Sequence, residues 1–303
     1  MINPLHIINA IRSPYLYLDV ADGIEVFGNT INVGNRAVTA RCRYHGIVGD
    51  TLLKCYYRTI GHGAEIYGER FHANVLRVYT IGGRTEFADV LLDNWVVGDP
   101  LDVCAEAAEC DFVHLSRAFD SMALKLLDEE WAHGDVKPEN IICRPNGTMQ
   151  LIDMDAMWRE GIPIERCHEY GTPEFNHPCR MTMTSGKHID DFAIALISTT
   201  LAAAALNPLL FRGALDTHRR IFIPERIVEG RDASFNHALM LLRTSGDEAH
   251  YRIGASLRTH DGIIPNLREF IEHALYRQYD VYESHAELSL AAESTTTYTI
   301  KRG

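Results

Sequence analysis

The sequence predicts a two-lobed α+β protein. Three observations carry this expectation. Roughly the first ninety residues hold short runs of β-branched and aromatic residues, punctuated by Gly, Asn and Asp. The remainder spaces its apolar residues at the helical period. A chain of 303 residues is long enough to bury a sizeable core, as one large domain or two ordinary ones. The expected division is a strand-rich lobe over residues 1–94, a helical lobe over 95–283 and a polar tail over 284–303.

In the first lobe, strands are expected over Tyr15 to Val20, Ile24 to Phe27 and Val38 to Tyr44. Gly49-Asp50 signals a turn into a strand over Thr51 to Tyr57. Val75 to Ile81, Gly82-Gly83 and Thr85 to Leu92 read as a further hairpin. Between them, His62 to Phe71 carries Glu65 and Glu69 one helical turn apart. Gly63 and Gly68 make any helix there short and weak.

In the second lobe, Leu101 to Cys110 and Val113 to Trp131 read as helices, with Leu115, Ala118, Phe119, Met122, Leu126 and Leu127 at helical spacing. Ile141 to Cys143 and Met149 to Ile152 read as short strands joined by Pro145-Asn146-Gly147. The most apolar run is Phe192 to Leu206, after Asp190-Asp191 and before Asn207-Pro208. It is shorter than the ~20 residues that span a bilayer, so a helix buried in a core is expected. Leu267 to Arg277 is the last expected helix, and the tail from Ser284 is expected to be loose.

Apolar residues make up 46% and charged residues 23%, with 29 Lys and Arg against 41 Asp and Glu, a net charge of −12. That balance excludes wholesale disorder and lacks the basic footprint of a nucleic-acid binder or of a polybasic membrane anchor. The seven cysteines, an odd number with no C-x-x-C pair, argue against a disulfide scaffold or a zinc ribbon. They are expected to be small core residues in a reducing compartment, and cytoplasmic placement is expected. Met1 to Ala10 has no basic start and no small-residue cleavage site, so no signal peptide is expected.

The stretch that carries chemistry is His133-Gly134-Asp135-Val136-Lys137-Pro138-Glu139-Asn140, followed by Leu151-Ile152-Asp153-Met154-Asp155. Phosphoryl transfer asks for a carboxylate to orient the attacking hydroxyl, oxygen ligands for Mg²⁺ and a cation near the transferred phosphate. Asp135, Lys137 and Asn140 supply these types on one loop, and the hairpin after Asn140 can fold Asp153 back beside it.

These motifs resemble the catalytic loop and metal-binding motif of the protein-kinase superfamily. His-x-Asp-x-Lys-x-x-Asn is present, and Asp153 stands at the first position of Asp-Phe-Gly, with Met154 and Asp155 in the other two. Gly171-Thr172-Pro173-Glu174 resembles the end of a Ser/Thr-kinase activation segment, and Asp190-Asp191-Phe192-Ala193 the start of the buried central helix. Lys54 sits where the family has its strand-three lysine, and Trp95 to Leu101 resembles the segment past the hinge. The resemblance covers roughly Val33 to Leu206 and implies a bilobal kinase-like fold with ATP and Mg²⁺, or Mn²⁺, in the cleft. It implies that Asp135 orients a protein hydroxyl and Lys137 neutralises the moving phosphate. Lys54, steadied by Glu65, would hold the α- and β-phosphates, Val38 would line the nucleotide site, and Asn140 and Asp153 would hold metal.

The chain also departs from the family. Ile31, Val33 and Arg36 stand where the phosphate-covering loop has glycines, leaving only Gly34. Glu69 is an alternative to Glu65. Gly134 replaces the arginine that reads an activation-loop phosphate, and the segment from Asp153 to Glu174 is short. Activity is therefore expected not to need phosphorylation of Thr172, Thr182, Thr184 or Ser185. Two other readings stay open: a pseudokinase that binds nucleotide or a partner, and a small-molecule kinase of the aminoglycoside and choline type.

Overall fold

A computed structural model describes residues 2–19, 24–27, 30–45, 47–161, 171–182 and 186–276. The chain is mixed α+β and divides into two units, one running to Val97 and one starting at Gly98.

In the first unit, Asn3 caps helix α1 (Pro4–Ile11): its side chain accepts the His6 amide at 3.1 Å, and His6 Nδ1 accepts the Asn3 amide at 3.3 Å. Ile7, Ala10 and Ile11 form its buried stripe. The expected strand over Tyr15 to Val20 is instead a single helical turn, α2 (Pro14–Tyr17). Pro14 is pre-set for the first position of a helix, and this wins over the strand preference of the tyrosines. Among the described residues of that stretch, Leu18 pairs in a β fashion, bridging Leu76, while the Asp19 amide donates to the Val75 carbonyl at 3.1 Å.

The sheet contains β1 (Glu25–Val26), β2 (Asn32–Val33), β3 (Ala37–Arg43), β4 (Asp50–Tyr56), then helix α3 (Gly63–Tyr67), β5 (Phe71–Tyr79) and β6 (Thr85–Asn94). Strand order is β1-β3-β4-β6-β5, with β2 also on β3, and every pairing is antiparallel. The Gly82-Gly83 hairpin joins β5 and β6 as expected, whereas β5 begins earlier, at Phe71, with a bulge between His72 and Leu76. Alternation sorts the two faces. Val38, Ala40, Leu53, Cys55, Leu76, Val90 and Leu92 share one core with Ile7 and Ile11 of α1. Lys54 and Tyr56 lie on the other face, where Phe71 packs on Tyr56 (centroids 5.9 Å) and leaves no room for a Cβ on Gly63 of α3.

The second unit runs β7 (Asp99–Pro100), α4 (Leu101–Glu106), α5 (Phe112–Leu127), β8 (Trp131–Ala132), β9 (Ile141–Cys143), β10 (Met149–Leu151) and β11 (Trp158–Arg159). Helices α6 (Asp191–Leu206), α7 (Pro208–Phe211), α8 (Pro224–Val228), α9 (Ala233–Ser245) and α10 (Glu248–Ser256) follow, then helical residues 267–276. The helix expected to end at Trp131 stops at Leu127, because Trp131 and Ala132 pair with β11. The one expected over Leu101 to Cys110 stops at Glu106. The run read as a buried helix is α6. Every residue from Asp191 to Ala204 is buried, because α5, α9 and α10 all pack on it.

Three polar side chains are sealed around α6. Asp120 and Ser198 are completely buried and His250 nearly so. Ser198 Oγ donates to Asp120 Oδ1 (2.7 Å), His250 Nε2 donates to Asp120 Oδ2 (3.0 Å), and His250 Nδ1 donates to Asp247 Oδ2 (2.7 Å). Arg277, Thr184, Ser185, Cys167 and the tail from Ser284 lie outside the described residues.

Candidate active site

Residues 133–140 form a loop between β8 and β9, held in shape by backbone amides. Asp190, just ahead of α6, is 4% exposed, and its carboxylate accepts the His133 amide at 2.5 Å and the Gly134 amide at 2.8 Å. Burial pushes its carboxyl above the usual range, although both amides favour the charged form. His133 is fully buried. Its Nδ1 accepts the Asp135 amide (3.3 Å), which leaves the proton on Nε2 to donate to the Ile152 carbonyl (2.9 Å). The Ile152 amide donates to the Asn140 carbonyl at 2.9 Å. Both ends of the loop are thereby tied to the residue before Asp153.

Gly134 has φ +81°, and a Cβ there would lie 2.0 Å from the Ala156 carbonyl oxygen. Any side chain there would force the backbone or Ala156 to shift. Gly134→Ala is expected to destabilise the chain by more than about 2 kcal/mol, read as a fall in the urea midpoint; an unchanged midpoint would contradict this geometry.

The side chains on the loop converge. Asn140 Nδ2 donates to the Asp135 carbonyl (2.9 Å) and to Asp135 Oδ2 (3.1 Å). Lys137 Nζ lies 3.0 Å from Asp135 Oδ2 and donates to Thr172 Oγ1 at 3.0 Å. Thr172 Oγ1 in turn donates to Asp135 Oδ1 at 2.9 Å. Burial alone would lower the Lys137 pKa, but the Asp135 carboxylate raises it above the lysine range, so the ammonium keeps its proton. Asp153 is exposed and left-handed (φ 65°, ψ 66°), a conformation that Asp tolerates better than most residues. Its charge contributes to raising the Lys137 pKa. The structure thus brings Asp135, Lys137, Asn140 and Thr172 into one hydrogen-bonded cluster and sets Asp153 on the chain tied to it.

No protein-family model matches the chain, and no curated protein matches it.

The expected residues of the first unit fare differently. Lys54 is 6% exposed, with Nζ 5.1 Å from the centre of the Tyr56 ring. Glu65 does not pair with it: Glu65 is exposed and its partner is His62 Nδ1. The cause is local. Helix α3 has only five residues, ends at Gly68 with φ +59°, and turns its Glu65 side to solvent. Glu69 is also exposed. Val38 is corrected as well. It pairs with Cys55 and is fully buried on the α1 face, whereas Thr39 is the residue of β3 across from Lys54. A period-2 strand cannot put both Val38 and Thr39 on the lysine's face. The β2–β3 turn closes on itself through the Gly34 amide and Ala37 carbonyl (2.9 Å), and the Tyr57 hydroxyl donates to the Gly34 carbonyl.

Two structural partners had no signal in the sequence. Buried Arg180 donates to the Gly134 carbonyl at 3.4 Å, and Arg220 Nε donates to Glu174 Oε1 at 2.7 Å.

Proposed function

We propose that this chain is an ATP-dependent phosphotransferase resembling a Ser/Thr protein kinase, bilobal in fold and cytoplasmic, that moves the γ-phosphate of ATP to a protein hydroxyl. The observation that carries the reading is the Asp135 carboxylate, held from two sides by Asn140, Lys137 and Thr172.

Each residue has a role that follows from its geometry. Asp135 Oδ1 accepts one hydroxyl already and has a second lone pair for the substrate hydroxyl, which it would orient and deprotonate as the phosphate leaves ATP. Lys137, held protonated, would neutralise charge on the moving phosphate. Thr172 positions both. Lys54 would hold the α- and β-phosphates.

The donor set fits a hard cation. Asn140 spends its amide nitrogen on Asp135, which leaves Oδ1 as a ligand, and Asp153 offers carboxylate oxygens. Among the described residues no group of three or more His, Cys, Asp or Glu side chains could hold a metal. Mg²⁺ or Mn²⁺ would take one or two protein oxygens here and complete its shell with phosphates and water. When bound, the ion supplies charge neutralisation at the β- and γ-phosphates. Asp153→Ala is expected to weaken Mg²⁺·ATP binding by about tenfold or more in calorimetric titration; an unchanged affinity would remove the metal assignment.

A second reading, a nucleotide-binding pseudokinase, is favoured by the closed β2–β3 turn and by the His62–Glu65 pair. Labelled ATP with Mg²⁺, with and without a generic protein acceptor, separates the two. Label transferred to protein supports the kinase. Binding without transfer supports the pseudokinase.

No described helix is long and apolar enough to cross a membrane.

A further inference from the structure

Three half-buried cysteines, Cys104 on α4, Cys110 just beyond it and Cys143 at the end of β9, lie in the second unit. Helix α4, which carries Cys104, packs on β9, which ends at Cys143. The β7–β9 ladder sets Asp99 directly across from Cys143. Cys104 Sγ reaches back to the Asp99 carbonyl at 3.7 Å, and so arrives beside its strand partner. Cys104 and Cys143 each act on the other's ionisation. The Cys110 amide turns back to the Ala107 carbonyl at 3.2 Å. Cys42 and Cys55 are sealed in the core of the first unit.

We propose that Cys104 and Cys143 are a redox modification site, closing to a reversible disulfide that staples α4 to β9. The loop it closes, from 104 to 143, contains α5, β8 and residues 133–140. The chemistry balances with hydrogen peroxide as oxidant. One thiolate attacks a peroxide oxygen, the O–O bond breaks, and a sulfenic acid and water form. The second sulfur then displaces the sulfenic oxygen as water, and the S–S bond forms. The two sulfurs lose two electrons, the peroxide gains them, and both thiol protons end in water. A dithiol reverses the step by exchange. Burial pushes both thiols up, which holds them protonated near neutral pH. Closure is therefore slow at pH 7 and accelerates towards pH 9, by up to about tenfold per unit.

The test is peptide mapping of the full chain. Protein is treated with hydrogen peroxide, capped with N-ethylmaleimide and digested without reductant. The expected product is one peptide pair joined through Cys104 and Cys143, two hydrogens lighter than its parts and separated by dithiothreitol. It should persist in Cys110→Ser and vanish in Cys104→Ser and Cys143→Ser. Capping of both thiols after oxidation, or a bridge through Cys110, overturns the proposal. The wild-type map decides this alone if a variant fails to fold.

Discussion

Asp135→Asn is expected to lower kcat by about 10²- to 10⁴-fold while leaving Mg²⁺·ATP affinity within about twofold. The amide removes the negative charge that accepts the substrate proton. It also presents an NH₂ group to donors that now point at Asp135 Oδ2, the Asn140 amide and the Lys137 ammonium. Loss of local order must therefore be told apart from loss of the base. Thr172→Val removes the hydroxyl that bridges Lys137 and Asp135 while keeping the side-chain shape, and should cost less than Asp135→Asn. Thr172→Ser should recover most of that loss, as a positioning hydroxyl would. Full turnover by Asp135→Asn in the labelled-ATP assay would end the kinase reading of the loop.

His250→Ala is expected to destabilise the second unit by about 3–5 kcal/mol, because it strands a buried charge. The imidazolium sits between Asp120 and Asp247, and Asp120 is completely buried. Without it, Ser198 is the remaining donor on Asp120. Burial by itself would lower the His250 pKa, but hydrogen bonds and charge from Asp120 and then Asp247 push it from 6.5 up to about 10. A group whose pKa rises on folding stabilises the fold fully below its unfolded pKa and loses that contribution as pH climbs through its folded value. The gap between wild type and His250→Ala should thus be widest near pH 6 and shrink towards pH 10. Urea midpoints at both pH values measure it. A gap under about 1 kcal/mol at pH 6, unchanged at pH 10, would rule out a buried imidazolium.

Strong local signals survived into the structure. The apolar run ahead of Asn207-Pro208 is α6, and Gly82-Gly83 turns a hairpin. Asn140 lies beside Asp135 because a short loop between two strands leaves little alternative. What stayed hidden depended on partners distant in sequence. Asp190 reads as a helix start, yet its carboxylate holds two amides of a loop more than fifty residues earlier. Arg180 carries no local pattern that points to Gly134. Spacing from Lys54 says nothing about register, and one residue of slip exchanges the faces of a strand, so the sequence alone does not tell Val38 from Thr39. Helix α1 was legible in principle: Asn3-Pro4 is a start signal, followed by Ile7, Ala10 and Ile11 at helical spacing.

The outer border of β5 bears on how copies of this protein meet one another. A terminal strand ordinarily offers a row of vacant amides and carbonyls on which a foreign strand can grow. Here Leu18 and Asp19 occupy part of that row at Leu76 and Val75, and the bulge with left-handed Asn74 bends the stretch beside them. At the opposite border, β1 is only two residues long. Leu18 and Asp19 thereby take up backbone groups of β5 that an added strand would otherwise use. Trimming the chain past Asp19 would free those backbone groups and uncover the sheet face that Ile7, Ala10 and Ile11 cover, in the same cut.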